Sequence, residues 1–210
     1  MSDNRGGARQ LTEVVIEKLE RRRADLSEIY FFGGVADDDA TRNRLLGFHE
    51  ALEAHGVPRG SCAIDCCGYP PTNAALALAA RCRRLGRLPA GLFINGVTAL
   101  EGALRFTGTL ALDELRGVVA GCFDWDPFAA HLPFDVTMMR QNVEALIAEG
   151  FALIDGFENL ATYPLVLVPP SFAGVGELDG IEEDWHSSGF AVDQPPEALA
   201  PGSEDRPSRG

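Results

Sequence analysis

Apolar positions recur at spacings of three and four through residues 5–23, where Leu11, Val14, Val15, Lys18 and Leu19 fall on one face. That period predicts an amphipathic helix. The run EIYFF at 28–32 is short, apolar and stopped by Gly33-Gly34, which predicts a buried strand. A second helical period spans 39–55, with Leu45, Leu46, Phe48 and Leu52 inward and Gly56 as its stop. The same alternation continues: strand 61–64, Ala-rich helix 71–83, strand 90–94, helix 97–106 and strand 115–123. Joins are short throughout. Strands alternating with helices in this way predict a parallel sheet with helices on both faces, a doubly wound α/β fold. Beyond it, VTMM at 136–139 reads as extended, 140–151 as a helix, and PLVLV at 164–168 as a last strand closed by Pro169-Pro170.

The pattern fades near residue 176. Residues 176–210 carry nine acids and two arginines, a net of −7, so the preceding 175 residues hold only −6 of the total −13. This segment is rich in Gly, Pro and Ser and reads as an acidic, disordered tail. The expected organisation is one α/β unit over 1–175 and a tail over 176–210. The negative balance argues against a broad nucleic-acid footprint. Five cysteines, with no C-x-x-C pair, read as reduced, mostly buried thiols. No metal set and no cofactor motif is evident. No apolar run reaches the length of a membrane span, and no signal peptide precedes the first helix; a cytoplasmic protein is expected.

In a doubly wound sheet, ligands bind beyond the carboxyl ends of the strands. The first strand leads through Gly33-Gly34 to a segment holding Arg42 and Arg44; the second leads to Asp65 and Tyr69. The third ends at Asn95, and the apolar run 118–123 ends at Asp124 and Trp125. Guanidinium, amide, carboxylate and aromatic groups at one edge suit a polyhydroxylated ligand: charged groups each hold paired hydroxyls, and an aromatic face covers a sugar's C–H face. Each residue also has a plainer reading. Asp124 could cap the turn before Pro127, Asn95 could cap the helix from Val97, Arg44 could be solvated, and Tyr69 could be loop packing. No nucleophile stands beside a base, and His131 reads as a surface residue. Gly33-Gly34 lacks the Lys-Ser/Thr of a phosphate loop. An enzyme is therefore not expected.

The order of short segments is more specific than any one of them. SDNRGGARQLTEVVI is followed by an apolar strand, then RNRLLGFHEAL, LPAGLFINGVTALEGAL, VVAGCFDWDPF and VTMMRQNVEALIAEGFALI. From Ser2 to about Val168 this resembles the effector-binding part of LacI/GalR-family bacterial transcriptional regulators, a periplasmic-binding-protein-like type I fold, nearest the fructose-repressor (FruR/Cra) branch. Arg44 stands three before Gly47-Phe48, Phe123-Asp124 takes the family's F/Y-D position, and Gln141 lies 17 residues after Asp124. Gly96, Trp125 and Cys122 depart from the family pattern, which bears on the ligand's identity.

The resemblance implies that Arg44 grips the effector, that Asp124 accepts its hydroxyls, that Asn95 binds beside them and that Tyr69 stacks; Trp125 joins them as a ligand-binding candidate. It implies a sugar or sugar-phosphate effector, and homodimerisation through this lobe, for which helix 97–106 offers Leu100 and Leu104. Operator DNA would be reached only through a headpiece outside this chain. On this reading the chain is the C-terminal lobe of an N-terminally truncated regulator, with 140–156 as the segment that returns to the other lobe, and it would bind effector weakly or not at all. A periplasmic-type sugar-binding transport protein of the same fold is the alternative.

Overall fold

A computed structural model describes residues 1–126, 134–155 and 165–173. The expected tail at 176–210, Pro127 and His131 lie outside these residues. Six strands form one sheet in the order β2-β1-β3-β4-β5-β6. The strands are β1 (Tyr30–Phe32), β2 (Ala63–Asp65), β3 (Gly91–Ile94), β4 (Val119–Phe123), β5 (Asp135–Arg140) and β6 (Ser171–Phe172). The first five pair in parallel; β6 runs antiparallel to β5, with Met139 opposite Phe172. Among the described residues five α-helices accompany them: α1 (Asn4–Arg21), α2 (Asp39–Ala54), α3 (Pro71–Leu85), α4 (Val97–Thr107) and α5 (Val143–Asp155).

Period-two alternation sorts the strands' side chains onto two buried faces. Phe31, Phe93, Val119 and Phe123 pack against Leu11, Val15 and Leu19 of α1 and Phe48 and Leu52 of α2. Tyr30, Phe32, Leu92, Ile94 and Cys122 face Ala74 and Leu78 of α3 and Leu100 and Ala103 of α4. With both faces covered, the central strands read as continuous apolar runs. Phe48 meets Phe31 and Phe93 edge-on, at 5.4 and 5.5 Å between ring centroids. Gly47 lets α2 cross α1 closely: a Cβ there would lie 2.1 Å from the carbonyl oxygen of Arg5. Lys18, the chain's one lysine, ties α1 to β5 by donating to Asp135 and Thr137 at 2.7 and 2.8 Å.

Several sequence-based boundaries move. The strand expected from 115 begins at Val119; Leu115 lies in a turn, yet is as buried as a strand residue, so hydrophobicity could not separate the two. The helix expected from 140 begins at Val143, because Arg140 completes β5 and Asn142 caps the helix by accepting from the Ala145 amide at 2.9 Å. The strand expected at 164–168 is absent from the described part, 165–168. There Val168 makes only an isolated parallel bridge with Ser2, and the sheet's last strand comes after the two prolines. Leu100 is 3% exposed and sits in the core, so α4 does not offer it to a partner. The five thiols are free; Cys62 and Cys122 are buried, and burial pushes the Cys62 thiol up to about 11.

Candidate functional site

The strand order reverses between β1 and β3, and a cavity of about 210 Å³ opens there, beyond the carboxyl ends of these strands. Gly34, Asp38, Thr41, Arg44, Tyr69, Asn95, Gly96 and Asp124 contribute to its wall. The structure thus brings together four of the five residues singled out from sequence. Trp125 is not among the lining residues; it packs against the α3–α4 side of the core, with the Arg140 guanidinium 5.1 Å from its ring.

Arg44 is 7% exposed and held on every side. Its guanidinium lies 3.9 Å from the centre of the Phe123 ring. Its Nε donates to Asn4 Oδ1 at 2.9 Å, and Nη1 donates to the main-chain oxygen of Asn95. Asp124 Oδ2 stands 3.7 Å from Nη1. Burial lowers the Arg44 pKa and the Asp124 charge opposes that shift; an arginine this far above neutrality stays charged. Arg44 is therefore not a solvated surface charge.

Asp124 follows β4 directly and has φ +84°, the left-handed region that Asp tolerates better than most residues. That turn carries the carboxylate back over the sheet edge. Its Oδ1 accepts from Gln141 Nε2, across the 17-residue separation noted in the sequence. A Cβ built on Gly96 would lie 3.4 Å from Asp124 Oδ2. Gly96 is the N-cap of α4 and supplies no side-chain cap, so Asp124 brings negative charge to an otherwise bare helix N-terminus. Asn95 is not that helix's cap.

Asn95, 4% exposed, is held by a chain of hydrogen bonds. Its Nδ2 donates to Thr41 Oγ1 at 3.0 Å, and Thr41 Oγ1 lies 3.1 Å from Asp38 Oδ2. Asp38 also caps α2 by accepting from the Thr41 amide at 3.0 Å. Hydrogen bonds, from the Thr41 amide first and later the Tyr69 hydroxyl, hold the Asp38 carboxyl below its ordinary range. Tyr69 is half exposed beside it; partial burial and the Asp38 charge raise its hydroxyl pKa. Gly34 closes the floor with φ +74°; a Cβ there would fall 2.0 Å from Asn95 Nδ2.

Sequence reasoning missed Asp38, Thr41 and Asn4. An aspartate three residues before a threonine at a helix start is a capping signal that could have found the first two. Asn4 lies 40 residues from Arg44, and its one signal in the sequence is its place in the SDNRGGARQ segment that carries the resemblance. Among the described residues, no His/Cys/Asp/Glu group of three could hold a metal ion, and no helix is long and apolar enough to cross a membrane.

The chain is an α/β unit with a polar cavity at its topological switch point, the place where ligands bind in open α/β sheets. Its fold is that of the effector-binding part of LacI-family sugar-binding transcriptional regulators. One such regulator from Escherichia coli, complexed with phosphate, superposes with a TM-score of 0.65 at 18% identity, covering 82% of this chain and 60% of that one. The Cra dual regulator of Pseudomonas putida with fructose 1-phosphate gives 0.66 at 20% identity, covering 82% and 62%. The regulator CelR with cellobiose gives 0.66 at 24%, covering 82% and 51%. In sequence, 95 residues, 45% of this chain, are 34% identical to the sucrose operon repressor of Klebsiella pneumoniae and span 28% of it. The chain thus covers only part of each relative. No family model matches it.

Proposed function

We propose that this chain is the effector-sensing lobe of a LacI-type transcriptional regulator and takes a sugar or sugar phosphate at the β1–β3 switch point. The observation that carries the reading is the buried Arg44 paired with Asp124 on the wall of that cavity, with Asn95 beside them. A guanidinium and a carboxylate 3.7 Å apart present paired donors and paired acceptors to neighbouring hydroxyls. The relatives' bound cellobiose, fructose 1-phosphate and phosphate belong to the same ligand range. In this reading Arg44, Asn95 and Asp124 bind, Tyr69 covers the mouth, and the protein acts in the cytoplasm without catalysis. It would work as a homodimer, with operator DNA reached through a separate headpiece.

Titration by NMR with fructose, sucrose, cellobiose and fructose 1-phosphate at millimolar concentration tests this. The expected result is saturable shifts at Gly34, Asn95 and Gly96. Arg44→Lys and Asp124→Asn should each weaken binding by roughly 10–100-fold, the loss of hydrogen bonds to a charged group. Shifts scattered over the surface and unchanged in both variants would overturn the reading.

A further inference from the structure

The hydrogen bonds behind Asn95 have a fixed direction. Asp38 is a carboxylate and only accepts, so the Thr41 hydroxyl must donate its one proton to Asp38 Oδ2. Thr41 Oγ1 is then left as an acceptor towards Asn95, and the amide must present Nδ2 to it. Asn95 Oδ1 is thereby turned the other way. It is buried and has no hydrogen-bond partner among the described residues. An unpaired buried acceptor is costly, and a ligand that donates a hydrogen bond removes that cost.

The charges on the wall point in the same direction. Asp38, Asp124 and Arg44 are its charged residues among those described, a balance of one negative charge. The two features that would attract an anion are both already answered. Arg44 has Asp124 at 3.7 Å, and the bare N-terminus of α4 has the same carboxylate beside Gly96. A phosphate monoester near neutral pH carries about −1.5 to −2 charges and offers acceptors almost exclusively. It would meet two carboxylates and an acceptor. A hydroxyl, by contrast, donates and accepts.

We propose that the Asp38–Thr41–Asn95 hydrogen-bond chain is a specificity device that sets this site for an uncharged polyhydroxylated ligand and against its phosphate ester. Thr41 and Asp38 are positioning residues that act through Asn95. The proposal rests on the sugar-binding reading above and narrows it. Losing the Thr41 hydroxyl removes the acceptor that fixes Nδ2, so the amide can flip and put a donor, which phosphate favours, where Oδ1 now stands unpaired.

The test compares the full chain and its Thr41→Val and Thr41→Ser variants by NMR titration with fructose, fructose 1-phosphate and inorganic phosphate. Circular dichroism establishes that each variant is folded. In the wild type, fructose should bind at least about tenfold more tightly than its 1-phosphate, a difference of about 1.4 kcal/mol. Thr41→Val should narrow or invert that ratio, and Thr41→Ser, which restores the hydroxyl, should keep it. An ester that binds as tightly as fructose, or inorganic phosphate saturating the cavity resonances, would overturn the proposal and leave the sugar-binding reading intact. A wild-type preference that Thr41→Val leaves unchanged would also overturn the proposal, because the hydrogen-bond chain would not be what sets it. Binding of none of the three, with sucrose and cellobiose also silent, would overturn both.

Discussion

At the scale of single residues, two helical glycines separate close approach from mere tolerance. A methyl group on Gly47 would meet the carbonyl oxygen of Arg5 at 2.1 Å, backbone against backbone, whereas one on Gly150 would meet nothing within 4 Å. Gly47→Ala should therefore destabilise the fold by about 1–3 kcal/mol, the usual cost of overpacking. Gly150→Ala should instead gain roughly 0.5–1 kcal/mol by restricting the unfolded chain and favouring the helix. Urea unfolding midpoints read both signs. The pair also marks what is legible in a sequence. Both glycines sit in helical patterns, and only the crossing of α1 over α2 tells them apart. Arg44 was marked as a binding candidate by its place before Gly47-Phe48 and after the first strand. Its burial over Phe123 and its bond to Asn4 depend on segments that the local pattern does not connect.

Among the elements, the central strands were the most legible, because burial on two faces leaves no polar position to obscure them. The periphery was less so. Leu115, Val118 and residues 165–168 are apolar like strand residues, but residues 112–117 form turns and Val168 makes an isolated bridge with Ser2 instead of joining the sheet; periodicity does not report hydrogen bonds. Helix α5 carries an apolar stripe that the structure leaves open: Val143, Ile147, Phe151 and Ile154 are 54–68% exposed. Changing residues that bury so little should cost little. The double variant Ile147→Glu/Phe151→Glu should keep its unfolding midpoint within about 0.5 kcal/mol of wild type. It should also bind less of a hydrophobic dye and stay soluble at higher concentration, as expected when an exposed apolar stripe is interrupted. A large loss of stability would mean that these side chains are packed in solution.

For the whole molecule, charge is the property most plainly set by composition. At −13, with one lysine among 18 basic residues, the surface opposes rather than attracts a polyanion. A gel-shift experiment at low salt should show no retardation of duplex DNA by this chain; a specific complex would place a DNA-reading surface within it. The architecture was legible at this scale because strand–helix alternation leaves few ways to wind a parallel sheet. The cavity was legible only as an edge where four strand ends meet. Which side chains share its wall follows from the reversal of order between β1 and β3, and the sequence does not state that order.

The pairing of the N-terminal residues with the segment near Val168 has a consequence for folding. The Met1 amine donates to the Val166 carbonyl, Asp3 N–H to Val168 O, and Val168 N–H to Met1 O. Residues 1–3 thus find their partners some 165 positions further along the chain. Helix α1 meets a similar delay, since its face packs on Val119, Phe123 and Met139. Contacts of such long separation are slow to close. Until they form, the apolar stripe of α1 has no sheet to cover, so a refolding chain passes through a stage in which that stripe is open to other chains.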